Sequence, residues 1–188
     1  MSSIRIFILG SLAERGPMHG HQLRLLAEEE HVHRWTDITV GAVYGAIKRL
    51  TAEGLLESVR TEREGNYPER VVHGVTEAGR VALAALLDDA IRTIVIKPDP
   101  LDLALARLDP DRLDAVPGMI AQRLADLEEL LREREARNVE IAHYLTVGER
   151  VILTHRVARL RAEITWHTHL LSELPTILAD ESARKDPS

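Results

Sequence analysis

The sequence predicts a mainly α-helical protein in two parts: three helices with a β-hairpin, then a wholly helical part with two long helices. Three observations predict it. Hydrophobic residues fill 45% of the 188 positions but aromatics only 3%, a composition suited to helices packed by aliphatic side chains. One turn signal, "EGN" at Glu64–Asn66, separates two short alternating runs and marks a hairpin. Beyond Asp99, leucine and isoleucine recur at alternating intervals of four and three, the spacing of a helix seam.

The elements follow in order. "SIRIFILGSLAER" carries Ile4, Phe7, Ile8, Leu9 and Leu12 on a short helix that "GPMHG" breaks. Pro17 can open the second helix, since a missing N–H costs nothing in a first turn. "HGHQLRLLAEEE" then puts Leu23, Leu26 and Ala27 on one side. His19 and Gln22 near its start serve either a bound phosphate or the structure alone. "HVHRWTDI" is a connector, with Trp35 packing where it meets the third helix. That helix buries Val40, Val43, Ile47 and Leu50, with Thr39 as N-cap and Gly54 as C-terminal glycine. The hairpin follows, its tip near Glu64 to Pro68. Thr76 caps a fourth helix that runs to about Thr93, where "IVIKPDP" interrupts the pattern. "PLDLALARL" is a short helix ended by Asp109-Pro110, and a long one carries Ile120, Leu124, Leu127 and Leu131.

The last helix has the more regular seam: Leu153, Val157, Leu160, Ile164, His167, Leu171 and Leu174. Such a stripe wants a partner, and its aliphatic members are the expected dimerisation residues. The division expected is 1–96 for the first domain with its connecting helix, 97–180 for the helical dimerisation and effector domain, and 181–188 for a disordered polar tail.

Composition also excludes. With no cysteine there are no disulfides, thiolate metal sites or cysteine nucleophile. "IFILGSLA" is bracketed by Arg5 and Glu14 too closely to span a membrane, and it lacks a signal peptide's basic head and cleavage site. A soluble cytoplasmic protein is expected. The net charge of −6 argues mildly against nucleic acid, although the field at a site follows local charge. Up to Arg80 ten basic residues face eleven acidic ones, so DNA affinity there must come from a few well-placed cations.

The third helix raises a question. Gly41, Ala42, Tyr44, Gly45 and Lys48 lie off its buried stripe, yet each internal glycine costs about 1 kcal/mol relative to alanine. Something must come close to that face. Three helices followed by a hairpin is the order of a winged helix-turn-helix, whose helix before the wing enters the DNA major groove. Thr39, Gly41, Tyr44, Lys48 and Arg49 are therefore DNA-contact candidates. Small residues admit the backbone, Lys48 or Arg49 meets phosphate or guanine, and Tyr44 donates to phosphate or packs on a thymine methyl. Spacing alone suits Tyr44 equally well to half-buried packing. Arg63 and Arg70 flank the wing tip; they contact DNA, or they pair with Glu62, Glu64 and Glu69 on a solvated hairpin.

"ILGSLAERGPMHGHQL", "TVGAVYGAIKRLTAEGLLES" and "VTEAGR" together resemble the PadR family of bacterial transcriptional regulators over about the first eighty residues. The helical remainder is similar to the dimerisation part of the family's longer members. Three positions depart from the family pattern: His21 and His73 stand where aromatics are usual, and Gly45 where proline often follows the tyrosine. The resemblance implies a homodimeric repressor that reads an inverted-repeat operator, in some members released by small phenolic or drug-like molecules. Trp166 and His167 are the residues expected to line an effector pocket, with plain interface packing as the alternative.

No cofactor or metal is expected. His31 and His33, like His167 and His169, would point about 200° apart if helical. The competing function is a winged-helix module that binds protein rather than DNA, which salt-dependent duplex affinity would separate. An enzyme is not expected, because no nucleophile, phosphate loop or metal motif is assembled.

Overall fold

Ile4, Ile8, Leu9 and Leu12 recur every three or four residues along α1 (Ser3–Arg15), and all are buried. They share a core with Leu23 and Ala27 of α2 (Gly20–Glu29) and with Val43, Ile47 and Leu50 of α3 (Ala42–Ala52). The computed structural model describes residues 3–63 and 69–185. It divides between Ile96 and Lys97 into two compact units, and this core belongs to the first.

β2 (Leu56–Glu62) and β3 (Arg70–Val75) pair antiparallel, Leu56 opposite Val75 and Glu62 opposite Arg70, with a bulge between Ser58 and Arg60. The tip expected at Glu64–Pro68 lies outside the described residues. A third strand, β1 (Met18–His19), had no signal in the sequence. It pairs with β3 at His73 and Val72, giving the order β1-β3-β2. This strand corrects the start of α2: Pro17 precedes β1, and the helix opens at Gly20. His19 caps it. Its Nδ1 accepts the Gln22 N–H at 3.1 Å while Gln22 Oε1 accepts the His19 N–H at 3.0 Å, a reciprocal capping box.

Thr39 does not cap α3. The helix begins at Ala42, whose N–H donates to the Thr39 carbonyl at 3.0 Å, and Gly41 stands at the N-cap with no side chain to offer. At the other end Gly54 has φ +72 and turns the chain into the wing. Thr76 caps α4 (Glu77–Arg92), accepting the Gly79 N–H at 3.0 Å and donating to the Gly54 carbonyl at 2.8 Å. A Cβ on Gly79 would lie 2.2 Å from the Leu55 carbonyl oxygen, so only glycine allows α4 to start this close to the turn. The exit of α3 is thereby locked to the wing.

Residues 93–99 carry neither helix nor strand. The second unit then opens with α5 (Pro100–Leu105), capped by Asp99, whose Oδ1 accepts the Leu101 N–H at 2.9 Å. α6 (Val116–Ile141) and α7 (Val147–Lys185) run antiparallel. Val116 and Ile120 meet Leu170 and Leu174 near one end, and Glu135 pairs with Arg161 at 2.5 Å farther along. Two expectations are corrected here. α7 continues to Lys185, so residues 181–185 are helix rather than disordered tail. The seam is also answered in part by the chain itself: Leu174 and Val157 are buried, and Leu153, Leu160, Ile164 and Leu171 are half-buried. The apolar residues that α6 and α7 leave exposed include Val139, Val147, Val151 and Ile152.

Candidate nucleic-acid interface

α3 has two faces of opposite character. Val43, Ala46, Ile47 and Leu50 are buried, whereas Tyr44, Gly45, Lys48 and Arg49 are exposed. Gly74 and Gly79 lie where a Cβ would meet Val59 Cγ2 at 2.8 Å and the Leu55 carbonyl at 2.2 Å. Nothing among the described residues asks for a glycine at position 41 or 45. A Cβ on Gly41 would have no neighbour within 4 Å, and one on Gly45 would meet only Arg49 Nη1, at 3.5 Å.

Tyr44 proves to do two things at once. Its ring lies over Gly20, where a Cβ would approach Tyr44 Cε1 to 2.9 Å, so the second glycine of "GPMHG" is the floor on which the tyrosine packs. The side chain nevertheless remains 51% exposed. A ring anchored on one side and half exposed is preorganised for contact with a partner. Lys48, one turn on, forms no ion pair among the described residues. Tyr44, Lys48, His19, His21 and Arg70 line one open groove of about 670 Å³ between α3, the start of α2 and β3.

Of the wing, Glu69, Arg70, Val71 and His73 line this groove. Arg70 is half-buried at the start of β3, and Arg63 is exposed just after β2. Glu62 pairs with Arg60 at 2.6 Å, a partner the sequence reading did not consider. His73, on β3, lines the groove with its Nδ1 buried and unpartnered, and burial holds the imidazole below the usual histidine range. The sequence reading missed Gly20 and His21 as parts of this surface. The spacing His19-x-x-Gln22 was the available signal, since a capping box fixes where α2 begins.

The residues expected at an effector pocket fare differently. Trp166 is 41% exposed, but His167 is fully buried with both ring nitrogens engaged. Nδ1–H donates to the Glu163 carbonyl at 2.8 Å, and Nε2 accepts Arg123 Nε–H at 2.9 Å. Arg123 in turn donates to Asp99 Oδ2 at 2.5 Å. His167 is thus an internal tether between α6 and α7. Among the described residues no three His, Asp or Glu side chains converge as metal ligands, and no helix is long and apolar enough to cross a membrane.

Residues 8–85 match the family model described as "Transcriptional regulator PadR-like family", which spans α1 through most of α4, the wing included. Over these residues the first unit resembles the PadR-like family. That family is one of transcriptional regulators, not of enzymes. The fold extends the likeness along the chain. Bacillus subtilis PadR in complex with operator DNA is 20% identical, with 93% of this chain and 98% of that chain covered and a TM-score of 0.67. The same protein in complex with p-coumaric acid gives 18%, 93% and 99%, and 0.66. A PadR-like transcriptional regulator from Bacillus cereus gives 18%, 90% and 94%, and 0.57. No curated protein matches the chain. In the PadR-like unit "GPMHG" now has a physical meaning as β1 plus the floor under Tyr44, and "TEAG" as the lock between α3 and the wing.

Proposed function

We propose that this PadR-like protein is a homodimeric repressor that binds an inverted-repeat operator through α3 and the wing, and that a small-molecule effector releases it. The observation that carries this is the outer face of α3. Two glycines that no contact among the described residues explains flank an anchored tyrosine, with Lys48, which forms no ion pair among those residues, one turn away. Such a face suits close approach of a duplex: Gly41 and Gly45 admit the phosphate backbone and base edges, and Thr39 lies at the helix's leading end. Tyr44, Lys48 and Arg49 supply donors, with Arg63 and Arg70 reaching from the wing. The B. subtilis PadR structure with operator DNA supports this reading.

Dimerisation would use the apolar residues of α6 and α7 that one chain leaves open, with the half-buried seam members Leu153, Leu160, Ile164 and Leu171 contributing their outer edges. Trp166, exposed beside the buried His167, remains the residue proposed to contact an effector, and the likeness to PadR with p-coumaric acid favours a small aromatic ligand. The deciding experiment is a fluorescence-anisotropy titration with a duplex selected by the protein from a randomised pool. Binding that weakens about 10³-fold or more between 50 and 200 mM salt is expected for six or more phosphate contacts. Absence of duplex binding would leave a protein-interaction module instead.

A further inference from the structure

Three imidazoles line the groove that holds Tyr44 and Lys48: His19, His21 and His73. Two of them are committed. His19 uses Nδ1 to accept the Gln22 N–H, so a proton placed there would cost α2 its cap. Burial lowers the proton affinity of His73 below the usual histidine range. His21 is half-buried and takes part in no cap; its ring stacks on that of His19, centroids 6.1 Å and planes 23° apart. The titratable and charged groups that share the groove with it are His19 on β1, Tyr44 and Lys48 on α3, and Glu69, Arg70 and His73 at β3, with Arg24 one turn on along its own helix. Arg24 is already paired with Glu28.

We propose that His21 is a further phosphate-contacting residue of the DNA face and that it binds as the imidazolium, so that operator binding draws protons onto this ring. This rests on the DNA-binding reading above and adds its regulation. A phosphate seated against Tyr44 and Lys48 lies within the same groove as the His21 ring, and an anion there draws a proton onto the imidazole beside it. Imidazole is the side chain suited to such exchange between pH 5 and 8. Linkage fixes the sign. If DNA favours the protonated ring, protons favour DNA by the same factor, so affinity rises as pH falls. A lysine at the same place would bind phosphate at every physiological pH; a histidine makes the grip conditional.

The test is the affinity of the full-length chain for the selected duplex at pH 8 and pH 6, at fixed ionic strength. The wild type should tighten by about fivefold per protomer, the size expected when one imidazole gains roughly one pH unit of proton affinity on binding. His21→Gln should lose most of that gain, and His73→Gln should keep it. Circular dichroism confirms that each variant folds, and His21→Tyr stands in if the glutamine variant does not. Equal affinity at both pH values, or the same gain in both His21 variants, overturns the proposal while leaving DNA binding intact. Absence of binding at either pH overturns the DNA reading and this proposal with it.

Discussion

Replacing Gly45 by alanine should stabilise the protein and weaken its hold on DNA. Gly45 sits inside α3 with an ordinary helical neighbourhood, and the added Cβ would meet only Arg49 Nη1 at 3.5 Å, the far end of a flexible side chain. No steric cost offsets the gain in helix propensity, about 0.8–1 kcal/mol for alanine over glycine in a helix interior. Part of that gain comes from restricting the unfolded chain, so it needs no new contact. For a chain of this length about 1 kcal/mol corresponds to roughly 2–4 °C in Tm. On DNA the sign reverses, because the methyl occupies space that the duplex backbone or a base edge would fill. A tenfold loss of affinity, about 1.4 kcal/mol, is expected for alanine. Gly45→Leu should lose more while folding as well as the wild type. Thermal denaturation followed by circular dichroism reads the first effect and anisotropy on the selected duplex reads the second. A variant that is more stable and binds as tightly as the wild type would refute the reasoning, since it would show that nothing approaches this face.

Three further outcomes follow from the same structure. Lys48→Ala should leave Tm within about 1–2 °C, because the side chain is exposed and forms no ion pair among the described residues, and should lower the salt slope by roughly 0.9 per protomer in duplex titrations; an unchanged slope would place another face of α3 on the DNA. Gly79→Ala should destabilise the first unit by about 2–3 kcal/mol in urea unfolding, since a Cβ 2.2 Å from the Leu55 carbonyl forces α4 off its Thr76 cap; a loss below about 0.5 kcal/mol would show that the helix start can shift freely. Val147→Glu with Val151→Glu should shift sedimentation from dimer to monomer without loss of helical signal, because both positions are exposed in one chain; a dimer that persists would locate the interface elsewhere.

Much of this architecture was legible along the chain because local rules sufficed. The stripe Val43–Ile47–Leu50, the Thr76 cap and the positive φ at Gly54 each depend on residues within a turn or two of one another. The outward set Tyr44, Gly45 and Lys48 followed by elimination once the buried stripe was drawn. What escaped was set by contacts distant in sequence. β1 is two residues long and exists only because β3, more than fifty residues later, offers a free edge at Val72 and His73. Gly20 and Tyr44 are ordinary residues until folding lays one on the other, and only then does the tyrosine become both anchored and exposed. His167 shows the limit most plainly. Its place in a four–three seam reads as an interface position, yet Arg123 and Glu163 saturate its ring inside the chain. Periodicity reports that a stripe is apolar and leaves open which neighbour covers it. The sequence by itself determined the helices, the Thr76 cap and the face of α3 that stays wet. Tertiary structure alone decided how α6 meets α7 and which imidazoles gather around Tyr44, because those depend on pairs of elements whose meeting no local spacing encodes.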